Sequence, residues 1–200
     1  MEEAILDLIK NRKNRRLVQI LLAKTEESRR DFCSNLEAIK CSVESDNAQA
    51  LIAILRFADD SIIKTDESRK KLGQFLFFAL TWCSDKSVFR LLLSVGADPN
   101  IKDDEGHTPL GDAVDAGDLE AASLLLLCGA DRDIDTMTGV NNGFDSALQR
   151  AVRRLDVPMV SLLLSYGADP KAIIDDNTAR DCLPEKSENP KAWDLINAVL

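Results

Sequence analysis

Three times in the 200-residue chain a leucine triplet is followed by Gly-Ala-Asp, and no other feature so narrows what the chain can fold into. The triplets Leu91-Leu92-Leu93, Leu124-Leu125-Leu126 and Leu162-Leu163-Leu164 each end three residues before the glycine. The closes Gly96-Ala97-Asp98, Gly129-Ala130-Asp131 and Gly167-Ala168-Asp169 are spaced by 33 and then 38 residues. A period of this size marks a repeat architecture, in which each unit buries its apolar face only against its neighbours. Locally, a short amphipathic helix buries the leucines. The glycine takes the left-handed conformation at its C-terminus, and the Asp opens a turn.

Between the first two closes lies Asp104-Glu105-Gly106-His107-Thr108-Pro109-Leu110, then Ala113, Gly117 and a second helix from about Asp118. Thr108 is a good helix N-cap, and Pro109 suits the first turn, where its missing N–H costs nothing. Residues 91–131 resemble the ankyrin repeat, with its T-P-L-H-x-A core and L-L-L-x-x-G-A-D close. The departure is Gly111, where the family usually has a hydrogen-bonding histidine. In the next repeat Ser146-Ala147-Leu148 stands for T-P-L, after an insert of about five residues within Asp133 to Asp145. Asn177 to Asp181 resembles the opening of a last repeat, and Pro190 to Leu200 its capping helix. Upstream, Gln74 to Ala79 fills the same slots in degenerate form. Earlier still come a helix over 47–57, its partner over 28–43, two helices over 2–23 broken near Asn11 to Asn14, and a loop over 59–71.

The resemblance implies an all-α ankyrin-repeat solenoid of about five to six stacked helix pairs with short turns or fingers. It implies one domain over 1–200: degenerate repeats over 1–70, recognisable ones over 71–183 and a C-terminal cap over 184–200. The family's function is protein binding through a concave groove on the side of the first helices. Phe75, Phe77, Phe78 and Trp82 are four of the ten aromatics, and Phe78 aligns with the groove-facing Asp112 and Arg150. Trp82 falls beside the slot of Asp115 and Arg153. The resemblance leaves Phe78 and Trp82 between two roles, an interface hot spot and packing against the N-terminal helices; Phe75 and Phe77 go to core or repeat contacts. Met137 and Phe144 are apolar tips of the inserted finger. The expected binding set is therefore Phe78, Trp82, Asp112, Asp115, Arg150, Arg153, Met137 and Phe144.

Charge and composition bear on the partner. The net −9 arises entirely in 101–200, where nine basic face nineteen acidic residues and the balance is −10. That field disfavours nucleic acid and anionic membrane and attracts a basic protein surface. Lys10 to Arg16 carries five positive charges in seven residues and reads as a solvated turn. The one histidine, His107, reads as an exposed turn residue, which leaves the five cysteines without a Cys–His nucleophile. The cysteines are odd in number and form no C-x-x-C, as in a reducing compartment. Asp131, Asp133 and Asp135 fail the calcium-loop pattern at Thr136 and Asn142. Leu92 and Asp98 before Asn100 resemble the sequence an asparaginyl hydroxylase recognises, and are equally repeat consensus.

The expectation is a cytoplasmic, monomeric, non-catalytic interaction module without cofactor or metal, acting as inhibitor, immunity-type protector or adaptor. Two alternatives stand beside it: a pathogen effector or scaffold engaging a host protein, and an enzyme with an unrecognised carboxylate or thiol site.

Overall fold

A computed structural model of the protein describes residues 2–33, 35–58, 65–84, 86–130, 134–135, 145–174, 176–186 and 189–200. Among them the regular structure is helical, apart from one isolated bridge between Ile174 and Asn177. The chain divides into two compact units, Met1–Asp98 and Pro99–Leu200.

The first unit contains α1 (Glu2–Lys10), α2 (Asn14–Ala23), α3 (Glu26–Cys33), α4 (Leu36–Glu44), α5 (Ala48–Leu55), α6 (Asp66–Trp82) and α7 (Ser87–Ser94). Three antiparallel pairs, α1/α2, α4/α5 and α6/α7, stack so that α1, α4 and α6 form one row and α2, α5 and α7 the other. Between the rows lie Ile5, Ile9, Leu17, Leu21, Ile39, Leu51, Ile54, Leu76, Phe89 and Leu92, all buried. Each such side chain contributes about 1.5–3 kcal/mol by leaving water, which is how stacking stabilises helices of eight to ten residues, too short to persist alone.

Two sequence expectations are corrected here. The helix expected over 28–43 is two, because Asn35 starts α4 by accepting a hydrogen bond from the Glu37 N–H at 2.9 Å. The loop expected over 59–71 gives way to helix at Asp66, where Thr65 Oγ1 accepts the Ser68 N–H at 3.2 Å. Asp66 and Glu67 in the first turn suit the positive end of the helix dipole. Residues 59–64 lie outside the described residues.

The second unit contains α8 (Pro109–Asp115), α9 (Leu119–Leu127), α10 (Ala147–Arg153), α11 (Val157–Ser165), a 3-10 turn at Arg180–Cys182 and α12 (Pro190–Val199). Here α8, α10 and the 3-10 turn make one row, and α9, α11 and α12 the other. The expected caps form: Thr108 Oγ1 accepts the Gly111 N–H at 3.1 Å, and Ser146 and Gln149 form a reciprocal capping box.

The repeat closes behave as their glycines require. Gly96, Gly129 and Gly167 have φ of 91°, 89° and 91°, and the following alanine N–H returns to the middle leucine of each triplet at 3.0–3.1 Å. The tight turn inside a pair also needs one left-handed residue, supplied by Arg12, Asp46, Gly117 and Leu155 at φ 53°, 48°, 66° and 54°. After three of these, Asn47, Asp118 and Asp156 cap the second helix by accepting from Ala50, Ala121 and Met159 at 3.1, 3.0 and 3.1 Å. The turn at Arg12 is the basic run of the sequence, and its guanidinium donates to the carbonyls of Ser45 and Asp46 at 3.2 and 3.0 Å.

All five cysteines are thiols, with Cys33, Cys41 and Cys182 buried. Burial pushes the Cys33 thiol up to about 11. Among the described residues no helix is long and apolar enough to cross a membrane.

Candidate functional site

In the first unit the candidate residues sit on the last turns of α6. Leu72, Leu76 and Ala79 recur at i, i+4 and i+7, and all are buried, so α6 spends that face on packing. Phe78 and Trp82, four residues apart, meet on another face with ring centroids 6.3 Å apart and planes inclined by 33°. Phe75, Phe77 and Phe78 are half-buried, whereas Trp82 leaves 70% of its surface in water. Phe78 thus bridges core and surface, and braces a tryptophan that the unit does not enclose. A tilted pair of this kind is worth about 0.5–1.5 kcal/mol beyond its burial, which restrains the indole before anything binds it.

In the second unit the candidates are two i, i+3 pairs, Asp112 and Asp115 on α8 and Arg150 and Arg153 on α10. Arg150 is only 5% exposed, and its guanidinium is ion-paired with the Asp115 carboxylate on the neighbouring helix. Arg153 is exposed and grips Asp145 through two bonds, Nε to Oδ2 at 2.8 Å and a terminal nitrogen to Oδ1 at 3.2 Å. This bond to Asp145 holds the Arg153 guanidinium above its ordinary pKa. Asp115, Asp145, Arg150, Arg153 and Arg154 line one shallow depression. Asp112 is half-buried, and burial raises its carboxyl pKa; Asp103 and Asp115 push the same way, while His107 and Arg150 pull it down.

Asp145 and Arg154 were absent from the sequence-derived set. Their signal was available: Asp145 directly precedes the N-cap Ser146, and Arg154 extends a run of three arginines within five residues of α10 and its C-cap. Met137 and Phe144, the finger tips, lie outside the described residues.

His107 departs from expectation, because its side chain is only 15% exposed. Nδ1 lies 3.0 Å from Asp103 Oδ2, and Oδ1 of the same carboxylate accepts the N–H groups of Glu105 and His107 at 2.9 and 2.8 Å. Burial opposes the Asp103 charge, yet these bonds together hold its pKa below the usual carboxylate range. The pair folds the turn back on itself, which is why an imidazole in a loop is covered. Asn100 is likewise structural, donating to the Gly129 carbonyl at 2.8 Å.

Gln149 occupies the slot of the family's histidine in its repeat. It is buried, and Nε2 donates to the carbonyls of Asn177 and Ile174 at 2.8 and 3.3 Å, tying α10 to the next turn. The corresponding Gly111 has no side chain with which to do so.

These faces thus present an ion pair across two helices in the second unit and a braced, exposed indole in the first. Among the described residues no three His, Cys, Asp or Glu side chains are grouped to hold a metal ion.

A family model described as ankyrin repeats (3 copies) matches residues 76–174. No curated protein sequence matches the chain significantly. Among solved structures, the chain is similar to the ankyrin repeat domain of Bcl-3, a unique member of the IkappaB protein family, at 27% identity and a TM-score of 0.61. That match covers 79% of this chain and 66% of the Bcl-3 domain. Repeat closes, capped first helices and structural likeness agree: the chain is an ankyrin-repeat protein.

Proposed function

We propose that this protein binds a partner protein through the faces of its first helices and acts by occupying the partner's surface, as an inhibitor, immunity-type protector or adaptor. A protein-interaction role is what ankyrin repeats and the likeness to an IkappaB-family domain support. Trp82 carries the finer reading: a 70% exposed indole braced by Phe78 is the residue type that dominates protein interfaces, already restrained in its free state. In the second unit Asp112, Asp115 and Arg153 present charge to the partner. Arg150 holds Asp115 in place from within, and Met137 and Phe144 add apolar contacts from the inserted loop. The net −9 favours a basic partner surface. The protein works as a monomeric cytoplasmic module, one ankyrin domain over 1–200, without catalysis.

Affinity capture at about 50 and about 500 mM salt, spanning weak to strong screening, with mass spectrometry of the captured proteins, tests this. The Phe78→Ala/Trp82→Ala protein is to lose the partner that the wild type retains, and the acidic half is to make capture weaker at high salt. Equal capture by the double variant refutes the aromatic site. Turnover on a broad substrate panel that survives removal of all five cysteines and His107 refutes the non-catalytic reading.

A further inference from the structure

The second-helix row of the first unit carries an apolar surface that no other described residue covers. α2 buries Leu17 and Leu21 completely, the expected single face of a surface helix. Yet Val18 and Leu22, one position further on, make a second apolar stripe, and Leu22 is 56% exposed. α5 repeats this, burying Ala50, Leu51 and Ile54 while Ile52 is 51% exposed. The two stripes meet: Val18, Leu22, Ile52, Ala53 and Phe57 line one groove of about 410 Å3, with Gln49 and Arg56 completing its wall. A water takes about 30 Å3, so the groove has room for side chains.

Among the described residues its charge is one-sided. Arg56, exposed, lines both this groove and an adjoining recess shared with Glu26, Arg29 and Arg30. Arg15, also exposed, lies one turn before Val18 on the same face of α2, since 15, 18 and 22 are spaced i, i+3, i+7. No carboxylate lines the groove among the described residues, and the Glu26 carboxylate is paired with Arg30 at 3.0 Å. The far wall is rigid: the Arg29 guanidinium lies 4.9 Å from the centre of the Phe57 ring and donates to the carbonyls of Leu21, Lys24 and Leu22 at 2.7, 3.0 and 3.2 Å. It therefore caps the C-terminus of α2 and pins α3 to it. At the opposite end Asn14 Nδ2 donates to Gln49 Oε1 at 3.0 Å, holding the two helix starts together.

We propose that the α2/α5 groove docks an amphipathic helix of a partner protein, one that lays a leucine-type stripe on Val18, Leu22 and Ile52 and brings carboxylates to Arg15 and Arg56. Helix-in-groove recognition reads apolar anchors at i, i+3/i+4 and i+7. From Arg15 to Leu22 the α2 stripe runs about 10 Å, seven residues at ~1.5 Å each, and so engages two turns of the incoming helix. Cations at both ends of an apolar floor select against a basic or neutral amphipathic helix of equal hydrophobicity, because leaving a lysine against Arg56 costs repulsion with no compensating pair. The surface is separate from Phe78 and Trp82, so it stands or falls independently of the aromatic site.

The test uses the full chain and two fluorescein-labelled helical peptides of about three turns, which cover the two-turn stripe with about one turn to spare. Both have leucines at i, i+3, i+4 and i+7, one flanked by glutamates and the other by lysines. In fluorescence polarisation the glutamate peptide is to bind saturably and the lysine peptide at least tenfold more weakly. Leu22→Asp, Ile52→Asp and Arg56→Glu, all at exposed positions, are each to weaken the glutamate peptide at least tenfold with an unchanged melting curve. Phe78→Ala/Trp82→Ala is to leave it unaffected. No binding, equal binding of the two peptides, or indifference to Ile52→Asp overturns the proposal. So does a wild type that light scattering shows to be a dimer made monomeric by Ile52→Asp, which would assign the groove to a second copy. Sedimentation with anionic vesicles abolished by Leu22→Asp would assign it to a membrane, and equally overturns it.

Discussion

The Arg150 guanidinium on α10 is buried against the Asp115 carboxylate on α8, so two residues expected to face a ligand are first of all partners of each other. Removing a guanidinium that is only 5% exposed leaves Asp115 facing a cavity, while about a third of the Asp115 side chain still reaches water and softens the loss. Arg150→Ala is expected to cost about 2–3 kcal/mol in urea unfolding, below the ~3–5 kcal/mol of a fully enclosed pair. Arg150→Met/Asp115→Leu, which removes both charges and keeps the volume, is to return to within ~1 kcal/mol of wild type. A double variant as unstable as Arg150→Ala would show that the guanidinium stabilises by some route other than this pair.

Asp112 makes stability depend on pH in the direction opposite to a salt-bridged acid. Its carboxyl pKa is raised by burial, so the folded state holds the proton more tightly than the unfolded one. Its charged form therefore destabilises the fold above the folded pKa, and the penalty fades as pH falls toward the unfolded value near ~4. Asp112→Asn is expected to melt higher than wild type at pH 7, with the difference narrowing toward pH 4 in scanning calorimetry. A difference that widens on acidification would contradict this sign.

Leu155 holds φ of 54° in a turn where the preceding repeat has Gly117 at 66°. A branched side chain in the left-handed region costs about 1–2 kcal/mol, partly recovered in the unfolded state by its lower entropy. Leu155→Gly is expected to raise stability by up to about 1 kcal/mol on that balance. A melting temperature lowered by Leu155→Gly would mean that the half-buried leucine packs better than its backbone is strained.

Gln149 caps its own helix and bonds two carbonyls of the following turn. Gln149→Ala removes one partner of each bond and leaves buried acceptors, at about 1–3 kcal/mol. Amide exchange is to speed up around residues 174–182 more than in α8, and equal protection in both places would sink the claim that Gln149 carries the link.

The thiols offer a check on burial. Cys128 is exposed while Cys33, Cys41 and Cys182 are buried, and burial raises the Cys33 thiol to about 11 against the opposing pull of Arg29 and Lys24. A disulfide reagent at pH 8 is expected to modify Cys128 first and Cys33 only on unfolding. Prompt labelling of Cys33 in the folded protein would show that α3 opens from α4.

The repeat was legible because each close is a local device: three leucines on one helix face, a glycine for a left-handed residue and a cap whose partner lies three positions on. Those interactions span fewer than six residues, so Thr108, Ser146, Gly129 and Gly167 declare their roles in the linear order. The 1–70 region was harder to read, since Asp46 and Arg12 replace glycine in the turns and Asn35 interrupts what reads as one helix.

What the sequence by itself determined about this protein is its repeat, its capping residues and the placement of its acidic charge in 101–200. Only the tertiary structure decided which polar groups are spent internally. Arg150 and Asp115, 35 positions apart, meet because α8 and α10 pack in one row, and His107 is covered because its turn folds onto Asp103. It likewise left Trp82 in water while burying Ala79 three residues earlier, and left Leu22 open while burying Leu21. The physical reason is that helical periodicity assigns side chains to faces, but only the packing of neighbouring helices settles which face meets another helix and which meets solvent.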